Sequence, residues 1–209
     1  MAEEEETPAE AAPVSGGTRW RRFGLALIPA LGAAGVLVAM TAQGTIAASF
    51  AVSGQSFKVS ADQLRGTGFT QYGDIATSGD GSEHPVGVSV IDEVELDNLC
   101  QSVLMDTPVG EVTLLVNAGQ GDEPASARNM VIDVQQLSGD AEFTNFEIGR
   151  DASTLENASG EVGEVGGFGQ QADTITIDGL RQTAWSVNAG TFSLTGLRLS
   201  VEPGDHECY

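Results

Sequence analysis

One short pattern recurs five times in this chain and limits what it can fold into. It reads apolar-x-apolar-x-x-Leu, and it appears as VSADQL (Val59 to Leu64), VELDNL (Val94 to Leu99), IDVQQL (Ile132 to Leu137), ITIDGL (Ile175 to Leu180) and FSLTGL (Phe192 to Leu197). Two apolar side chains two residues apart point to the same face of a strand. The Leu three positions later falls out of that period, and it returns to the face only if the backbone bends or bulges in between. Gly179 and Gly196 suit such a bend. The copies start 35, 38, 43 and 17 residues apart, too unevenly for a solenoid. The pattern predicts a mainly β chain, arranged as a single antiparallel β-sandwich or roll.

Turn residues between the apolar runs agree, in SGDGSEHP from Ser78, AGQGDEPAS from Ala118, SGD at Ser138, NAG at Asn188 and EPGD at Glu202. One short helix is expected over about 97–105, because Leu96, Leu99, Cys100, Val103 and Leu104 follow helical spacing, with Asp97 as a cap and Pro108 as a stop. The Gly-rich stretch from Ala158 to Gln171 reads as a long flexible loop, and DASTLENASG before it adds a helical turn.

The N-terminal part has a different character. Residues 1–18 have the composition of a disordered acidic leader. Arg19, Arg21 and Arg22 then precede an uncharged run that begins at Phe23 and continues to Lys58. Basic residues on one flank of an apolar segment keep that flank in the cytoplasm, which places the rest of the chain outside. Gly24 to Met40 is 17 residues, at the lower end of the ~17–25 a spanning helix needs. Thr45, Ile46 and Ala47 fit a small-x-small cleavage site. Residues 19–47 are therefore a signal peptide cut after Ala47 or a single-pass anchor, and RRFGL also fits a twin-arginine signal loosely. The extracytoplasmic β-rich domain is residues 48–209, secreted or tethered to the membrane.

Of the net charge of −21, the residues after Ala47 carry −19. So acidic a domain repels nucleic acid and anionic lipid, and favours neutral or cationic partners. About 160 residues suffice for one domain that buries near 70% of its unfolded surface. The two cysteines, Cys100 and Cys208, both follow the export segment, and one disulfide is the expected use of them in an oxidising compartment.

Catalytic constellations are scarce. No Gly-x-Ser-x-Gly elbow is present, and His84 and His206 are the only histidines. A hydrolase base must then be one of these, whereas both read as structural or surface residues. GFGQQA (Gly167 to Ala172) fits a dinucleotide turn only loosely and precedes a strand where a helix is required. The acids of DEVELD (Asp92 to Asp97) and GDGSE (Gly79 to Glu83) offer oxygen to calcium without a recognisable ligand spacing, so no metal residue and no cofactor is assigned. Trp185, the one tryptophan after the export segment, is expected to pack inward from a strand.

TRWRRFG, AASFAVSGQSFKVSADQLRGTGFTQYG, NLCQSV, FTNFEIGRDASTL and FGQQADTITIDGLRQTAWSVNAGTFSLTGL resemble a family of exported actinobacterial proteins, typical of streptomycetes, classed as a domain of unknown function. The resemblance implies a cell-envelope setting. Members are often labelled cholesterol esterase, but no catalytic residue carries over to this chain. The reading that follows is a non-enzymatic structural or binding module of the cell envelope, for an apolar ligand or a surface partner. An apolar face of Val59, Val134, Ile175, Ile177, Leu194 and Leu197 would serve it, and the same six positions would equally make a core. A secreted lipid-ester hydrolase is the alternative, and it rests on the family label.

Overall fold

The computed structural model describes residues 53–209. The expected leader, the signal peptide or anchor expected over 19–47 and the expected cleavage after Ala47 lie outside the described residues. Within them the chain forms eight strands: β1 (Phe57–Thr77), β2 (Glu83–Asp97), β3 (Leu99–Thr107), β4 (Gly110–Ala118), β5 (Ala125–Thr144), β6 (Glu147–Asp151), β7 (Phe168–Ser193) and β8 (Arg198–Pro203). All pair antiparallel in one sheet of order β6-β7-β5-β2-β1-β3-β4-β8. A further pairing of β1 with β7, from Phe57 opposite Ala184 to Tyr72 opposite Gly169, closes the circuit β1-β2-β5-β7-β1. The sheet is thus rolled onto itself, and its central strands have no free edge.

Very long strands roll this tightly only if they bend, and the recurring hexapeptides are where they do. Asn98 and Gly179 adopt left-handed backbone angles (φ 51° and 62°), and Asp62 lies level with both. Asn98 Nδ2 donates to the Asp62 carboxylate at 2.5 Å. Each bend shifts the inward set by one residue, so the terminal Leu returns to the core side. Leu64, Leu99 and Leu180 are all buried beside Val59, Ala61, Val94, Leu96, Ile175 and Ile177. In the other two copies the Leu leaves the core, with Leu137 40% and Leu197 52% exposed. A second transverse row of bends runs through Gly68 (φ 65°) and Asn129 (φ 49°), which lie opposite Asp92. Asparagine and glycine tolerate this conformation where other residues are strained.

Two expectations are corrected. Among the described residues there is no α-helix, and 97–105 is the end of β2 and most of β3. The pairing of β1 continues in one register across Asn98, from Gln63 opposite Asp97 to Ser60 opposite Cys100, so the hydrogen bonds of a neighbouring strand outweigh a helical spacing of apolar residues. The one helical element is the 3-10 turn Ala152–Thr154, capped by Asp151 and lying within DASTLENASG.

Nor is the Gly-rich stretch a free loop. It crosses the outer face of β1 and β2, where Tyr72, Val86, Val88 and Val90 form a second buried cluster with Ala152 and Leu155. The Gly163 amide donates to the Ala152 carbonyl, the Gly166 amide to Asp151 Oδ2 and the Ser159 amide to Asp92 Oδ1. A Cβ on Gly163 would stand 2.8 Å from the Tyr72 ring, so glycine serves close approach there and not mobility. The stretch ends in β7, which already begins at Phe168.

Beyond the roll, β3, β4 and β8 form a three-stranded wing. The tail after β8 folds back across one of its faces and is fastened by the Cys100–Cys208 disulfide. The Cys208 amide donates to Ser102 Oγ, the His206 amide to Thr113 Oγ1, and Lys58 Nζ to Glu207 at 2.5 Å. The closed circuit of pairing, the two buried clusters and this bond all lie within one compact unit of the chain, Phe50–Tyr209.

Candidate binding face

Between the two rows of bends the outer face of the roll remains uncovered. The register aligns outward side chains into two transverse rows. One runs Thr144, Thr174, Thr67, Glu93, Arg128 and Thr191; the other runs Glu142, Thr176, Arg65, Glu95, Ser126 and Ser193. The intervening row, Ile175, Gly66, Val94 and Ala127, belongs to the core side of the same strands. This row, with the stretches from Thr174 to Arg128 and from Thr176 to Ser126 of the other two, lines an open trough of about 560 Å³.

Its charged groups are arranged in opposed pairs. Arg65 grips Asp97 through both terminal nitrogens, at 2.7 and 3.3 Å, and reaches Glu95 at 3.4 Å and the Gln63 side chain. The hydrogen bond to Asp97 raises its pKa further above an already high value, so it stays a fixed cation. Arg128 meets Glu93 at 3.5 Å, with both side chains more than half exposed. Thr174 Oγ1 donates to Thr144 Oγ1 at 2.7 Å. The trough offers hydroxyls and both signs of charge, which suits polar recognition and supplies no nucleophile with its base.

The six apolar positions are not gathered around one cavity. Val59, Val134, Ile175 and Ile177 are buried in the main core, Leu194 packs at its margin, and Leu197 is half exposed at the turn after β7. One apolar cavity among the described residues has a volume of about 30 Å³ and is lined by Val59 alone of the six. That is room for roughly one water.

Five of the six acids considered for calcium have another partner. Asp97 and Glu95 face Arg65, Glu93 faces Arg128, Asp92 accepts from Ser159, and Asp80 accepts from the Ser82 amide. Among the described residues no group of three metal-ligating side chains is assembled.

One contact has the look of chemistry. Ser78 Oγ lies 2.9 Å from His84 Nε2, and the His84 ring stacks on Trp185 at 3.6 Å. Yet Ser78 is buried, and among the described residues no carboxylate hydrogen-bonds the other imidazole nitrogen. Trp185 is half-buried against the second cluster, on the outer face of the roll and not toward the main core, and among the described residues its buried Nε1 has no hydrogen-bond partner. His206 is structural, with Nε2 3.1 Å from the Pro203 carbonyl.

Reading the sequence alone missed the trough. Its polar residues stand between the apolar ones of QLRGTG and DTITID, a visible signal of an outward face, but their juxtaposition depends on pairing β1 with β7 across more than a hundred residues.

Residues 53–209 match a family of unknown function, DUF6230, and the chain belongs to that family. No curated protein and no solved structure matches it.

Proposed function

For this DUF6230 member we propose a non-enzymatic binding module of the cell envelope, secreted or membrane-tethered, that takes a polar partner across the trough of the roll. The observation that carries the reading is the uncovered field of hydroxyl, guanidinium and carboxylate groups on rigid, closed strands. Sites on such elements hold their geometry better than sites on loops. A partner carrying both hydrogen-bonding groups and charges of both signs, such as an extended peptide, matches the opposed pairs Arg65–Glu95 and Arg128–Glu93. The Cys100–Cys208 bond favours an oxidising, extracytoplasmic setting.

The test is a photo-crosslinking residue at Thr174, in cells of the natural host. A discrete adduct that R65A/R128A removes, and that a crosslinker at Glu161 on the covering segment does not give, is the expected result. Equal labelling from both positions would dismiss the trough.

A hydrolase is the second reading, and Ser78 beside His84 is the one observation in its favour. A fluorophosphonate adduct at Ser78, lost in S78A, would sustain it. Absence of any adduct on the pure domain would end it.

A further inference from the structure

The wing has two faces, and the tail covers only one. On the other, the register sets Val103, Leu114 and Val201 side by side, with Val116 beside Leu199 in the next row. Leu199 and Val201 are 63% and 60% exposed, and neither buried cluster includes any of these five side chains. Nor does the face carry a charge, since the residues that alternate onto it are apolar apart from Gln101 and Thr107. In a domain of net charge −19 this is an unusual surface.

Size argues against a second copy as its cover. Three strands about 4.8 Å apart, each offering a few residues at about 3.3 Å per residue, make a face on the order of 250 Å². Two such faces together fall well short of the roughly 1,200 Å² of a stable interface.

Position argues for a bilayer. The wing adjoins the point where the chain enters the domain, because Lys58 and Val59 at the start of β1 pair with Ser102 and Gln101 of β3. Sixteen residues separate Met40, the end of the apolar segment, from Phe57. Fully extended they reach at most about 55 Å. Retained as an anchor, that segment would hold the start of β1, and the wing beside it, within this reach of a membrane surface.

We propose that the open wing face rests on a lipid bilayer, with Leu199 and Val201 as its deepest side chains. The acidic remainder of the domain is repelled by anionic headgroups, so zwitterionic surfaces are preferred. This proposal is independent of the trough and of what the trough binds.

The experiment is flotation of residues 48–209 with phosphatidylcholine vesicles, with and without phosphatidylglycerol. The domain is expected to float with the neutral vesicles, and less with the anionic ones at low salt. L199E/V201E should lower the floated fraction at least tenfold, while I148E, on the edge strand β6 and 66% exposed in the parent, leaves it unchanged. V201W keeps the face apolar, and its added emission should be quenched by brominated lipid. Failure of the parent domain to float, equal flotation of L199E/V201E, or a dimer in sedimentation that L199E/V201E splits would each overturn the proposal.

Discussion

The roll and the wing are built from similar strands, yet only the roll has a two-sided use for them. In the roll, pairing closes on itself, the bends return Leu64 and Leu180 to the core, and the stretch after β6 covers part of the outer face. In the wing, alternation is as regular, but one face is covered by the tail, while on the other Leu199 and Val201 of β8 are 63% and 60% exposed. Alternation decides which side chains share a face. Closure of the sheet and the path of its connections decide whether that face is buried.

The comparison can be broken most strongly at the bond that ties the tail to the wing. C100S/C208S opens a crosslink between residues 108 apart, whose loss costs up to ~4.7 kcal/mol in the chain-entropy picture. Urea denaturation should show that loss, while the ion pair of Lys58 with Glu207 and the hydrogen bonds to Ser102 and Thr113 keep the tail on the same face.

A matched pair of truncations separates the two regions directly. Ile177→Ala, at a side chain 1% exposed inside the roll, should cost about 3 kcal/mol or more. Leu199→Ala on the open wing should change stability by no more than about 0.5 kcal/mol. Similar losses at both sites would mean that the wing face is covered.

At the bends, Gly68→Ala should cost about 2 kcal/mol. Its φ is +65°, and a Cβ would stand 2.7 Å from Asp92 Oδ2 and 2.8 Å from the Asn157 carbonyl. A neutral effect in thermal unfolding would show that the second row of bends is soft.

The smallest effect is on pH dependence and belongs to the covered part of the roll. Burial, with Glu161, Asp74 and Asp133 nearby, pushes the Tyr72 pKa up to about 12. An unfolded tyrosine ionises near ~10. The neutral phenol is therefore favoured in the fold, its contribution is whole below about pH 10, and it is lost as pH rises through the folded value. Y72F should lack this alkaline decline. At the acid end, Asp151 is held below its usual range by the Ser153 hydroxyl and by the Ser153 and Gly166 amides. That contribution is present above the ordinary carboxylate range and disappears as pH falls through the lowered value.

The sequence carried the bends openly. A Leu out of strand period with Gly179 before it demanded a local change of hand, and Asn98 supplies the same change where the helical spacing of Leu96, Leu99 and Cys100 misled. The glycines from 160 to 169 were misread because composition does not distinguish a glycine that must move from one that must let Tyr72 approach. The trough was hidden for another reason: Thr67 and Thr174 meet only through the closing pair of strands, and nothing local in either strand specifies that partner. The cysteines were legible because the chain has only two, which leave one possible intramolecular pairing.

Amide hydrogen exchange followed by NMR tests the closed roll and open wing most directly. The account predicts that amides along the β1–β7 seam exchange as slowly as those between β2 and β5, by global unfolding, while β8 exchanges much faster through local opening. A seam that exchanges as fast as β8 would contradict closure and reduce the roll to an open sheet.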